Sequence, residues 1–138
     1  MTTLDAIADD FQMVDDETRL ELLLDYAARL PPLPEAYHPL RDRGLNMVHE
    51  CQSPVFLMVE VKDGRVAIHA DVPEEAPTAR SFTAIMVEAF DGATPDAVAA
   101  APGDVLHRLG LANLLGMQRT RGLSAIYRRI KNEVARQA

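Results

Sequence analysis

The clearest pattern in the chain is a pair of apolar-rich segments, Val55 to Val61 and Arg65 to Asp71, separated by Asp63-Gly64. Asp-Gly between such segments suits a type I′ hairpin turn. A two-residue loop fixes the register, so Val61 faces Val66, Val59 faces Ile68 and Leu57 faces Ala70. All three pairs are apolar and share one face. Glu60 opposite Ala67 and Met58 opposite His69 occupy the other, and this agreement of turn and pattern predicts a half-buried hairpin. Leu45 to His49 supplies a candidate third strand.

The remaining periodicity is helical. Residues 4–13 read as a short acidic helix. Asp15 or Asp16 can cap a second, in which Leu20, Leu23, Leu24, Ala27 and Leu30 recur at helical spacing. Pro31-Pro32 stops it, because proline disfavours helical geometry in the residue before it. Residues 31–44 hold four prolines and a glycine and read as an ordered, extended connection. Residues 78–90 place Phe82, Ile85, Met86, Ala89 and Phe90 on one face. Thr94-Pro95 is a cap followed by proline at the first helical position, and residues 103–109 give another turn or two. A last helix over about 120–136 buries Leu123, Ile126, Tyr127, Ile130 and Val134, with Arg128, Arg129 and Lys131 outward. Helices, then strands, then helices predict a single α+β domain over residues 1–138, with a small antiparallel sheet of about three strands covered by helices.

Composition agrees with one domain: 138 residues, 48% hydrophobic and 25% charged, the balance of a soluble globular protein. The longest uncharged apolar run, Val55 to Val59, is far short of the roughly 20 residues that span a bilayer. The first residues carry no signal-peptide pattern, so a cytoplasmic protein without membrane attachment is expected. Net charge is −7, which argues against a general nucleic-acid binder. The charge is uneven. Residues 1–35 hold nine acids and two bases, whereas residues 101–138 hold two acids and seven bases. The basic C-terminal part is either a solvated face complementary to the acidic N-terminal helices or a surface for an acidic partner.

Candidate chemistry centres on Cys51, the single cysteine. Alone it makes no internal disulfide, no Cys-x-x-Cys pair and no four-cysteine zinc site. It also holds no iron–sulfur cluster by itself. Any chemistry must therefore use it as one nucleophile or one carrier. It lies in His49-Glu50-Cys51-Gln52-Ser53-Pro54, between strand-like segments, where Pro54 interrupts pairing and sets a loop at the sheet edge. Isolated cysteines are commonly small buried hydrophobes, but Gln52, Ser53 and Pro54 are unusual flanks for a core position.

These residues resemble the SufE family, sulfur acceptors that partner a pyridoxal-phosphate cysteine desulfurase in iron–sulfur cluster assembly. The family pattern Asn-x-(hydrophobic)-x-Gly-Cys-x-Ser-x-Val-Trp is matched by Asn46-Met47-Val48-His49-Glu50-Cys51-Gln52-Ser53-Pro54-Val55-Phe56. Leu30-Pro31-Pro32-Leu33, Asp91-Gly92-Ala93-Thr94-Pro95 and Arg119-Thr120-Arg121-Gly122-Leu123 match further family segments in the same order, so the resemblance covers about residues 11–136. Three departures stand out. Glu50 replaces the family glycine, Phe56 replaces its tryptophan, and Val72-Pro73-Glu74-Glu75-Ala76-Pro77 replaces a Gly-Asp-Ser-Asp run, with Glu75 able to stand in for the last acid.

The resemblance implies a SufE/IscU-like fold and a Cys51 that takes persulfide sulfur and hands it to a downstream cluster scaffold. Arg119 would stabilise the thiolate or persulfide anion, with Gln52, Ser53, Glu50 and Glu75 around it. No cofactor or metal of its own is implied, since pyridoxal phosphate belongs to the desulfurase. Monomer and homodimer both stay open. Gly44 can supply loop flexibility where Glu50 has replaced glycine, and Glu50 beside the thiol disfavours the thiolate. Two other readings compete: a non-catalytic interaction module on the same fold, and a single-cysteine redox sensor. A zinc site from His38, His49, Cys51 and Asp42 fits no standard spacing. His69 and His107 read as partly exposed, non-catalytic residues.

Overall fold

The computed structural model describes residues 2–138. The elements are α1 (Thr3–Gln12), α2 (Asp16–Asp25), α3 (His38–Asp42), β1 (Met47–Val48), β2 (Val55–Lys62), β3 (Arg65–Asp71), α4 (Pro77–Phe90), α5 (Pro95–Ala100), α6 (Val105–Arg108) and α7 (Met117–Gln137). Two 3₁₀ turns, Tyr26–Arg29 and Glu35–Tyr37, complete them. The class is α+β, with one antiparallel sheet in the order β1-β2-β3.

The hairpin takes the register dictated by its turn, with Val61 opposite Val66, Val59 opposite Ile68 and Leu57 opposite Ala70. Asp63 and Gly64 have φ of 52° and 73°, the pair of positive values that a type I′ turn requires. The apolar pairs face inward, where α4 packs on β3 and α7 on β2. Six consecutive residues of α4, Ser81 to Met86, are buried. A helix buried around its whole circumference is a core element, and α1, α2, the first 3₁₀ turn, β3 and α7 all pack on it.

The segment 31–44 departs from the extended connection expected. Pro34 precedes the second 3₁₀ turn and Pro39 sits in the first turn of α3, where the missing N–H is no loss. The segment covers the outer face of the sheet. Tyr37 stacks on His69 with ring centroids 4.9 Å apart and donates its hydroxyl to Glu60, and Arg41 pairs with Asp71 at 2.9 Å. Phe56, on this same face, is fully buried.

The second helix also differs in detail. It is capped by Asp15, whose side chain accepts from the Thr18 N–H, but Leu20 and Leu24 are exposed and Leu23, Tyr26 and Leu30 are buried. The chain then tightens into the 3₁₀ turn Tyr26–Arg29. The last helix starts at Met117, earlier than its apolar pattern, because its first turn is solvent-facing. Near its end Gln137 reaches β2. Its amide donates to the Val59 carbonyl at 2.7 Å, and its carbonyl accepts from the Val61 N–H at 3.0 Å. β1 pairs only with Val55 and Phe56, so this side chain completes the edge.

Stability should separate these positions in urea unfolding. Leu23→Ala is expected to cost about 2–5 kcal/mol, while Leu20→Gln stays within about 0.5 kcal/mol. Ser81 has a buried hydroxyl without a partner, so Ser81→Ala is expected to stabilise by about 1 kcal/mol.

Candidate functional site

Cys51 lies on the loop between β1 and β2. The loop turns tightly because the Cys51 N–H donates to the Val48 carbonyl at 3.3 Å. This aims the side chain at α7, where the thiol sits 3.4 Å from the Gly122 carbonyl oxygen and donates to it. The loop packs closely on Gly122: a Cβ there would stand 3.4 Å from the sulfur and 3.7 Å from the Cys51 Cα, in van der Waals contact with both. The base of the loop is tied to the same helix, since Arg129 donates to the Met47 carbonyl at 2.9 Å.

Beside the thiol is a cavity of about 250 Å³, lined by Cys51, Gln52, Ser53, Glu75, Ala76, Pro77, Thr78, Ala79, Gln118, Arg119, Gly122 and Leu123. Cys51, Gln52, Ser53, Glu75 and Arg119, which come from three separate stretches of sequence, therefore meet around one space. Glu50 does not line it. Its carboxylate points instead to Arg128, 3.9 Å away. Both helices at the cavity wall begin there, α4 after Ala76 and α7 after Gly116, and neither has a side-chain cap. Uncapped helix N-termini carry positive partial charge, so the cavity wall combines two dipole ends with the Arg119 guanidinium.

At rest the thiol is protonated. Burial, and then the Glu50 charge, push Cys51 up to about 11, against an ordinary ~8.5. Donation to the Gly122 carbonyl also favours the neutral form. The histidines play no part: His38 has Nε2 2.9 Å from the Leu33 carbonyl, His69 stacks under Tyr37, and His49 and His107 are exposed. Among the described residues no three His, Cys, Asp or Glu side chains gather closely enough to hold a metal ion, so His38, His49, Cys51 and Asp42 do not converge. Sequence reasoning passes over Gly122, Arg128 and Arg129 as site residues. For Gly122 there is a signal, a glycine inside a helical pattern, which marks a close approach.

A small antiparallel sheet backed by two long helices, with one cysteine held in a cavity at their first turns, defines a single-cysteine α+β protein. Residues 5–134 match the family model SufE, described as an Fe-S metabolism associated domain. The chain belongs to the SufE family, and that membership suggests a role in iron–sulfur metabolism. It is 40% identical over 129 residues to an uncharacterized SufE-like protein of Mycobacterium tuberculosis, covering 93% of this chain and 88% of that one. A second uncharacterized SufE-like protein, from Rhizobium meliloti, is 30% identical over 139 residues, covering 96% and 95%. The fold matches the solution structure of a hypothetical protein from Thermus thermophilus with a TM-score of 0.84 and 33% identity, over 99% of this chain and 98% of that one. No helix among the described residues is long and apolar enough to cross a membrane.

The raised thiol predicts a specific titration. In the folded protein, alkylation of Cys51 by iodoacetamide should climb with pH to a midpoint near about 11. Unfolding in urea should bring the midpoint back to ~8.5. A folded-state midpoint that matches the unfolded one would mean that the thiol lies open to water.

Proposed function

We propose that this protein accepts sulfane sulfur on Cys51 from the persulfide of a cysteine desulfurase, passes it on for iron–sulfur cluster assembly, and stimulates the desulfurase by doing so. The observation that supports it is the sole cysteine of a SufE-family chain, set beside a cavity that also holds Arg119 and two helix N-termini. In the transfer, the Cys51 thiolate attacks the terminal sulfur of the partner's persulfide. One S–S bond forms at Cys51, the partner's S–S bond breaks, and the partner's thiolate leaves. The exchange is redox-neutral and follows thiolate fraction and access.

Resting geometry makes exposure the activating step. A thiol pushed up to about 11 by burial and the Glu50 charge that leaves the Gly122 carbonyl for water gains on the order of 100-fold in thiolate at neutral pH. The loop therefore shields the sulfur at rest and activates it on release. Once loaded, the persulfide needs room for one extra atom, about the 30 Å³ share of a water molecule, and the cavity of about 250 Å³ is ample. Arg119 and the helix ends oppose the negative charge of the persulfide. Gln52 and Ser53 offer polar contacts to it, and Glu75 stands on the cavity wall beside the start of α4. The partner supplies the pyridoxal phosphate.

A second reading, an interaction module that binds the desulfurase without accepting sulfur, draws on Glu50, whose charge works against the thiolate. Intact-protein mass spectrometry after incubation with a cysteine desulfurase, pyridoxal phosphate and cysteine separates them. The acceptor gains one sulfur on Cys51, reversed by reductant, and Cys51→Ser abolishes both the gain and the stimulation. Arg119→Ala is expected to slow loading about tenfold, the equivalent of one pKa unit. Stimulation that survives in Cys51→Ser would instead establish the module.

A further inference from the structure

The loop that carries Cys51 is held to α7 in two different ways. Its base is fixed: Arg129 is partly buried and donates to the Met47 carbonyl at 2.9 Å, and Met47 and Val48 pair with β2. Its tip is held by the Cys51 side chain, which packs at the core edge and donates to Gly122, and by Glu50 facing Arg128 at 3.9 Å. The Glu50 and Arg128 side chains are 53% and 61% exposed. Such a pair has charge attraction but no hydrogen-bond contact. It is weak enough to open and is screened by salt.

We propose that Glu50 and Arg128 form a releasable latch that biases the 49–54 loop down over the Cys51 cavity, so that breaking this ion pair raises the fraction of time the loop is lifted and Cys51 bared while Arg129 keeps its base in place. Arg128 is a positioning residue in this scheme, acting on Cys51 through Glu50. The charged and titratable groups around the thiol are Glu50 and His49 on its own loop, Glu75 ahead of α4, and Arg119 and Arg128 on α7. Of these, Glu50 is the one whose charge raises the Cys51 pKa. It thus has two separable effects: it ties the loop down through Arg128, and its charge opposes thiolate formation. The biological purpose of the latch rests on the sulfur-acceptor reading, but its geometry does not.

The test is the rate of Cys51 alkylation by iodoacetamide between neutral and strongly alkaline pH, at low and at high salt, which requires no desulfurase. Arg128→Gln removes the latch and leaves the Glu50 charge. It should alkylate about two- to fivefold faster than wild type across the pH range, the scale of a surface ion pair. High salt should bring wild type toward the variant and leave the variant little changed. Glu50→Gln should show the same gain and also a midpoint at lower pH. The double variant should match Glu50→Gln alone, because the latch is lost once. Equal rates in wild type and Arg128→Gln at both salt concentrations would overturn the latch. So would a gain confined to Glu50→Gln, which would leave its charge on the thiol as the only effect. An intact latch together with no sulfur gain in the desulfurase assay would overturn the acceptor reading instead.

Discussion

The burial of α4 is the constraint on which the rest of the structure depends. Its run from Ser81 to Met86 is enclosed by β3, α7, α1, α2 and the 3₁₀ turn after α2. Removing that much apolar surface from water supplies much of the drive for folding, and it leaves the helix no freedom to slide. Its first turn is thereby fixed at the cavity that the first turn of α7 also lines. Arg80 strengthens this end by donating to the carbonyls of Ala27 and Val72, at 3.0 Å and 2.7 Å. The cavity at Cys51 is the space left where these two rigid helix ends meet a short loop, so its shape is set by the core.

The resting cysteine is arranged for protection. Protonated, packed on Gly122 and half-buried, it is a poor nucleophile and a poor target for oxidants, which act on exposed thiolates. The loop that holds it is a small element with a short pairing to β2, set against helices packed into the core. Regions that open are drawn from the least stable parts of a fold. The 49–54 segment fits that description: it has no helix or strand of its own, and only a few side-chain contacts hold it to α7.

What can be read in the sequence follows physical lines. The hairpin register is legible to the residue because a two-residue turn with Asp63-Gly64 admits one alignment with all apolar pairs on one face. The second helix departs from its pattern at Leu20 and Leu24 because it packs through a narrower stripe, Leu23 with Tyr26 and Leu30, than its leucines suggest, and no local rule selects which leucine meets the core. In the 31–44 segment, prolines suggest extended chain, yet Pro39 lies in the first turn of α3, where proline is tolerated. At the site, Cys51, Gln52 and Ser53 are neighbours along the chain. Arg119 and Glu75 enter through the family pattern, since no local rule links a loop to the first turns of two distant helices. The partner of Glu50 is beyond reach for the same reason: Arg128 meets it only once α7 lies along the sheet.

Gln137 carries a consequence for how the protein behaves in crowded solution. Beyond Leu57, whose N–H donates to the Asn46 carbonyl at 3.0 Å, β2 has no strand neighbour on this side, and an open strand edge is a template for another chain. The carboxamide of Gln137 presents one donor and one acceptor to the Val59 carbonyl and the Val61 N–H, the same two contacts that a passing strand would make. One side chain at the end of a helix thus imitates a β-neighbour too short to propagate. It closes the sheet against self-assembly at the place where two valines, Val59 and Val61, would otherwise invite it.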